Sequence, residues 1–440
     1  MIPRRHFFSS AALAAGAAAL ASATRPARAA AAEPADNTHD ASASPEPTAS
    51  SSPFRPVITP NGITAEWKLV DGVKVFHLVA EEFEHEITPG LKVKCWGYNG
   101  RTPGPTIEAV EGDRVRFYVT NKLTEPTSVH WHGVRVPNGM DGVSGLTQKE
   151  IPPGETYKYE YTLRQHGTHM YHSHFDEMTQ GALGMMGLFI IHPRQALEPV
   201  DRDFALLLSE WRVDPGAARP NPSEMTDFNI FTINSKAFPG TAPLVVKRGD
   251  RVRLRIGNLG AMDHHPVHLH GHDFTVVEAD GAPIPPAARW SGNTVLVPVG
   301  SSRAVEFIAS EPGDWALHCH MSHHTMNQMG HEAPNLLGIK SRAFDQKMRR
   351  LVPGYMTMGD TGMGDMAEME MKNPRNSVPM LGAPGPFSYI DMGGMFTILK
   401  VREGDIASQT DPGWYTHPAG TVASRASTEE LQRDLGRVPQ

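Results

Sequence analysis

The sequence predicts an all-β chain made of two homologous domains, and three observations carry that prediction. The 440 residues include 41 glycines and 37 prolines, with hydrophobics at 40% and charged residues at 20%. That composition can fill cores but interrupts long helices. Short apolar alternations such as Val115, Phe117 and Val119 lie between Pro/Gly turns, the two-residue period of half-buried strands. Finally, Glu111-Gly-Asp-Arg-Val-Arg-Phe-Tyr-Val-Thr-Asn121 recurs as Arg248-Gly-Asp-Arg-Val-Arg-Leu-Arg-Ile-Gly-Asn258, an internal repeat of a whole domain. The repeat sets the expected β domains at 54–194 and 195–345.

The remaining segments follow in chain order. Arg4 and Arg5 precede an uncharged Ala-rich run from Ala11 to Ala23 and a small-residue site at Ala27-Arg28-Ala29. This resembles a twin-arginine signal, which implies export to the periplasm or the extracellular space, with 1–29 as the signal. The run falls short of the roughly 20 apolar residues that span a bilayer, and no membrane association is expected. Residues 30–53, mostly Ala, Ser, Pro, Glu and Thr, read as a flexible linker. The formal net charge of −7 leaves no basic field to hold nucleic acid.

After each copy of the repeat comes a histidine pair, Val129-His130-Trp131-His132-Gly133 and then Val267-His268-Leu269-His270-Gly271. Further on, Gly167-Thr-His-Met-Tyr-His-Ser-His174 aligns with Gly313-Asp-Trp-Ala-Leu-His-Cys-His320. On a strand, residues two apart share a face, so each His-x-His presents two imidazoles in one direction. Four such pairs at matched points of a duplicated domain point to metal, and imidazole alone suits copper, zinc, iron or nickel. The second domain narrows the choice. His265, Cys319, His324 and Met329 supply two imidazoles, a thiolate and a thioether, the ligands of a blue-copper electron-transfer site. Strand alternation puts Cys319 on the face opposite His318 and His320.

These motifs, His130-Trp-His-Gly133, His172-Ser-His174, His265-Pro-Val-His-Leu-His-Gly-His272 and His318-Cys-His-Met-Ser-His-His324 with Met329, resemble the four copper motifs of the multicopper oxidases, the laccase family. The resemblance covers about 54–345 and implies two cupredoxin-like Greek-key domains. It also implies one type 1 copper on His265, Cys319, His324 and Met329, and one type 2 copper on His130 and His268. A type 3 pair would lie on His132, His172, His174, His270, His318 and His320. Too few residues separate His174 from His265 for a middle domain, so the chain looks like the two-domain, small-laccase group. Four cluster histidines fall on each domain, which implies a homotrimer with trinuclear clusters between subunits.

The first domain departs from the type 1 pattern, with Thr127, Ser173 and Met178 opposite His265, Cys319 and His324. Asp141, in Gly139-Met-Asp-Gly142, matches the family acid that delivers protons near type 2 copper; a turn aspartate is the plainer alternative. His323 stands where some bacterial relatives carry a second acid. With Cys319 on copper, Cys95 is expected to be a buried thiol.

Residues 346–440 match neither repeat and read as a Met-rich C-terminal extension, with nine methionines from Met356 to Met395. Thioether favours Cu(I), so the extension reads either as a Cu(I) relay or as a packing arm. Ser427, Glu430, Leu431, Leu435 and Gly436 mark a short capped helix. The function expected is one-electron oxidation of phenols, aromatic amines or Cu(I) coupled to reduction of O2 to water. A copper nitrite reductase and a copper-sequestering protein are the alternatives; the first needs only three histidines at its second site.

Overall fold

The computed structural model describes residues 54–195, 199–327, 350–351, 376–379, 382–404 and 410–436. The expected signal and linker, Met329 and most of the methionine-rich stretch lie outside the described residues. The first half contains β1 (Trp67–Val70), β2 (Val73–Thr88), β3 (Leu91–Tyr98), β4 (Ile107–Val110), β5 (Arg114–Asn121), β6 (Thr156–Thr162), β7 (Gly167–His172), α1 (Glu177–Ala182) and β8 (Met186–His192). The second contains β9 (Arg202–Trp211), β10 (Ile230–Ile233), β11 (Leu244–Lys247), β12 (Arg251–Asn258), β13 (His265–Leu269), β14 (Phe274–Ala279), β15 (Ala282–Pro283), β16 (Trp290–Gly292), β17 (Thr294–Val297), β18 (Ser302–Ile308) and β19 (Gly313–Cys319). Three more strands and a helix follow: β20 (Ala383–Pro384), β21 (Tyr389–Ile390), β22 (Phe396–Arg402) and α2 (Thr428–Leu435).

Each half is a sandwich of two sheets. In the first, β1-β2-β5-β6, with β3 on β2, is joined through a common core to β4-β8-β7. In the second, β10-β9-β12-β18-β14-β15, with β16 on β14, packs on β11-β22-β19-β13-β17. The alternation seen in the sequence is the cause: Val115, Phe117 and Val119 of β5 are buried while the residues between them are more open.

The strand pairing exposes the duplication more fully than the sequence does. β8 runs parallel to β4 and antiparallel to β7, and β22 repeats this arrangement against β11 and β19. The two strands are therefore the same element of the two domains. In the first domain β8 follows α1 at once; in the second the chain reaches β22 only after the long stretch 320–395. That strand lies within 346–440, the segment expected from sequence to be an extension, yet it supplies a central strand of the second sheet. The C-terminal helix forms as expected, with reciprocal Ser427/Glu430 capping and Gly436 in the left-handed conformation at its end.

The two sandwiches are joined by a buried ionic clamp. Arg255 forks onto Asp203 at 2.8 and 2.9 Å and donates to Thr168 Oγ1 of β7 at 3.1 Å. The backbone N–H of Thr168 donates to Glu278 at 2.8 Å. β7, which ends in His172, is thus held by residues of the second domain. At the matched position of the first repeat stands Tyr118, so only the second copy carries the arginine of this clamp. Arg255→Gln is expected to destabilise the fold by about 3 kcal/mol, since it leaves the buried Asp203 carboxylate with only the longer contact to Arg253 at 3.4 Å. A downward shift of the thermal unfolding midpoint checks it.

Candidate metal centres

β13 begins at His265, β19 ends at Cys319, and a single 3-10 turn (Ser322–Thr325) carries His324 back over the strand end. The three side chains are buried. His265 Nδ1 and His324 Nδ1 are 3.2 Å apart, and Cys319 Sγ is 3.7 and 3.4 Å from them. A triangle with these sides has its centre about 2 Å from each corner, close to the bond lengths that imidazole nitrogen and thiolate sulfur make to a transition metal. Burial pushes the Cys319 thiol up to about 12 and the His265 imidazole down to about 3. The imidazole is therefore a neutral donor across the whole working range, and the thiol ionises only with a cation beside it. His324 lies flat on Phe231, with ring centroids 3.9 Å apart, and its Nε2 faces the Asp263 carboxylate at 3.5 Å. That contact favours the proton on Nε2 and leaves Nδ1 to bind metal. Burial beside Asp263 raises the Glu210 carboxyl. Met329 lies outside the described residues.

The equivalent point of the first domain is filled by a polar plug. Thr127 Oγ1 and Ser173 Oγ donate to Gln180 Oε1 at 2.7 and 2.5 Å, and Gln180 Nε2 donates to the Pro126 carbonyl at 2.7 Å. Thr127 and Ser173 stand where the sequence put them, but Met178 does not oppose them: it is 57% exposed. α1 extends the turn after β7, so the residue that returns to the strand is Gln180. A spacing argument copied from the other domain could not reveal that.

The eight remaining motif histidines form two quartets. In the first domain His130, His132 and His172 bring ring nitrogens within 4.8 Å of one another, and His174 packs 5.5 Å from His130. In the second, His268 lies 4.7, 5.7 and 5.3 Å from His270, His318 and His320. Backbone carbonyls fix the rings. His130 Nδ1 donates to Asp141, His172 Nδ1 to Ser173, His268 Nδ1 to Asn293 and His318 Nδ1 to Cys319, each at 2.8 Å. His132 is turned the other way, its Nε2 donating at 2.8 Å to the carbonyl of Gly300 in the second domain.

His132 Nδ1 and His172 Nε2 then face each other at 3.3 Å, each with its one N–H already engaged elsewhere. Two lone pairs at that distance repel unless a cation lies between them, so these residues fit a metal. Burial holds the His172 imidazole down at about 3, which keeps it neutral. Among the described residues, no ring contact or hydrogen bond joins one quartet to the other.

Asp141 touches the first quartet twice, through its carbonyl and through a carboxylate oxygen 3.5 Å from His130 Nδ1. A second carboxylate, Glu177, lies 3.4 Å from His172 Nδ1, a contact that no motif spacing reveals. Cys95 is a buried free thiol in the cluster where the β2–β3 hairpin meets Trp211 and Ile230, and burial pushes it up to about 12.

Two buried imidazoles and a thiol at one end of a β-sandwich define the class as a blue-copper type protein. The chain belongs, more narrowly, to the multicopper oxidases: two models described as multicopper oxidase match residues 80–196 and 214–335. It is 30% identical over 416 residues to copper resistance protein A of Escherichia coli, across 78% of this chain and 65% of that one. It is 34% identical to dihydrogeodin oxidase of Aspergillus terreus over 46% of this chain and 36% of that one. The crystal structure of a blue copper oxidase from Nitrosomonas europaea aligns with TM-score 0.56 at 28% identity, covering 74% of this chain and 85% of that chain. This chain spans about a third to two thirds of the length of these curated relatives. Copper is the metal that the family implies, and its members share the cupredoxin-type sandwich.

Proposed function

We propose that the protein is an exported oxidase that takes electrons singly from a small reducing substrate and passes four of them to dioxygen, yielding water. The observation that carries this is β19, which directs Cys319 into the three-donor site while His318 and His320 leave the opposite face toward a histidine quartet. Copper held by His265, Cys319 and His324 would supply one-electron transfer, and copper held by the histidine quartets would supply the chemistry of dioxygen reduction. His265, Cys319, His324 and Met329 are assigned as type 1 ligands and His130 and His268 as type 2 ligands. The type 3 ligands are His132, His172, His174, His270, His318 and His320. Eight cluster histidines exceed what a nitrite reductase needs, and a sequestering protein needs no strand that joins two sites. Oxygen uptake coupled to substrate oxidation tests the reading; copper binding without uptake would reject it.

Asp141 is proposed as the residue that holds and moves a proton beside His130. Asp141→Asn keeps the carbonyl that orients His130, so copper loading should be normal. Reoxidation by dioxygen should slow by roughly 100-fold, the usual weight of a positioned acid, and the deficit should grow as pH rises. Stopped-flow reoxidation as fast as in the wild type would reduce Asp141 to a turn residue.

We further propose a homotrimer in which the first quartet of one subunit meets the second quartet of its neighbour. The separation of the quartets within one chain supports this. So does the setting of His268, which shares an outward face with Pro266, Thr294 and the half-exposed Leu296. Head-to-tail contacts of this kind close into rings.

Phenols, aromatic amines and Cu(I) are the proposed substrates, and the relative named for copper resistance supports the metal ion. Parallel assays with 2,6-dimethoxyphenol and Cu(I) separate them. A deletion that probes the methionine-rich stretch must stop short of Gly393. From there the chain is part of the centre: the Met395 carbonyl accepts from Cys319 N at 3.1 Å, and Met395 N donates to the His324 carbonyl at 2.9 Å.

A further inference from the structure

The first domain hides a feature that its fold does not require. Trp131, between His130 and His132, is fully buried and packs against Tyr159, Tyr161 and Tyr171 at ring distances of 5.4, 5.9 and 6.4 Å. Tyr171, next to His172, lies 5.3 Å from Tyr98 on β3. Trp96 stands two residues away on the same face of that strand, in the same core. It is 7% exposed, and its indole N–H donates to the Glu82 carboxylate at 3.3 Å.

The duplication supplies an internal control. The repeat places Leu269 at the position of Trp131 and Leu317 at that of Tyr171. The pairing of β5 with β6 and of β12 with β18 sets Val305 against Tyr159 and Phe307 against Tyr161. Four oxidisable side chains in one copy are four inert ones in the other, on the same sandwich. Packing does not explain the choice either. The hydroxyls of Tyr98 and Tyr161 and the indole nitrogen of Trp131 are buried with no hydrogen-bond partner, a cost that phenylalanine would avoid.

We propose that Trp131, Tyr171, Tyr98 and Trp96 form a relay through which an oxidising equivalent left at the histidine cluster escapes to the protein surface. The inference rests on the oxidase reading, with dioxygen as the ultimate oxidant. When substrate is exhausted before dioxygen is fully reduced, Trp131 gives up one electron and becomes an indole radical cation. The Tyr171 hydroxyl donates to the Pro105 carbonyl at 2.8 Å, which is too weak a base to take its proton, and the Tyr98 hydroxyl has no partner among the described residues, so both tyrosines bridge the two indoles rather than hold the vacancy. An electron from Trp96 refills Trp131, and Trp96 passes its N–H proton to Glu82, leaving a neutral indolyl radical. A phenol or thiol in solvent then returns one electron to Trp96, and Glu82 returns the proton. The relay protects the histidine ligands from oxidation in place.

The test loads the protein with copper, reduces it with only three of the four electrons per centre that dioxygen requires, mixes it with dioxygen in the absence of substrate and freezes it for electron paramagnetic resonance. Mass spectrometry afterwards locates oxygenated residues. The wild type should give an organic radical signal, quenched quickly by ascorbate, with oxidation mapping to Trp96. Trp96→Phe should keep oxygen uptake unchanged, lose the oxidation at that site and leave a radical that ascorbate quenches slowly. Trp131→Phe should lose the signal and transfer the damage to His130, His132 or His172. A radical of unchanged intensity and unchanged quenching in both variants, or damage distributed as in the wild type, would overturn the relay. Oxygen uptake by the wild type separates the two levels. Uptake without a tryptophan-dependent radical sinks the relay alone, and no uptake sinks the oxidase reading and the relay with it.

Discussion

Cys319→Ser should yield a colourless protein that oxidises no substrate yet retains the copper held by its two histidine quartets. The type 1 centre has a single soft donor among the described residues, and it is buried so deeply that the thiol ionises only when a cation compensates the charge. A serine hydroxyl is far harder to ionise and offers no sulfur, so both the intense visible absorption and the electron entry point should disappear. The quartets should survive. Their rings are fixed by the carbonyls of Asp141, Ser173, Asn293, Cys319 and Gly300, and the substitution changes none of these groups. Visible absorption and copper analysis on the same sample check both halves of the expectation. Strong blue absorption in the variant would remove Cys319 from the centre, and loss of all copper would mean that the two sites fold as one.

The reach of the sequence can be stated in terms of particular residues. The His-x-His pairs were legible because a strand repeats every two residues, so chemistry on one face leaves a visible spacing. Cys319, flanked by His318 and His320, was legible for the same reason. Ligand orientation was not, because carbonyls set it and any residue type supplies a carbonyl: nothing about Gly300 or Asn293 marks it as a partner of His132 or His268. Gln180 escaped notice because α1 lengthens a turn, which shifts the returning residue out of register with the other copy. β22 escaped because the stretch 320–395 removes it from the place where the first domain carries β8. Identity of residue type survives insertion, whereas position does not. The repeat in the sequence already sets Leu269 against Trp131 and Leu317 against Tyr171, but Val305 and Phe307 are matched to Tyr159 and Tyr161 only by the registers of β6 on β5 and of β18 on β12.

A mixture of two inactive chains should recover oxidase activity if the clusters lie between subunits. His132→Ala disables the first quartet and leaves the second intact, and His270→Ala does the reverse. Neither chain alone can build a complete cluster in a ring where each first domain meets the second domain of its neighbour. Co-refolded at equal amounts and assembling at random, about a quarter of the junctions in a closed head-to-tail ring join an unaltered first quartet to an unaltered second one. Oxygen uptake should return to roughly that fraction of the wild-type rate, on a background where each variant alone shows almost none. Leu296→Arg gives an independent view. It places a charge on the half-exposed face that His268 shares, so it should split the assembly and abolish oxygen uptake, while the buried type 1 centre keeps its colour. Light scattering reports the mass and visible absorption the centre. A clusters-within-one-chain arrangement predicts the opposite in both experiments: no recovery on mixing, and a Leu296→Arg monomer that still consumes oxygen.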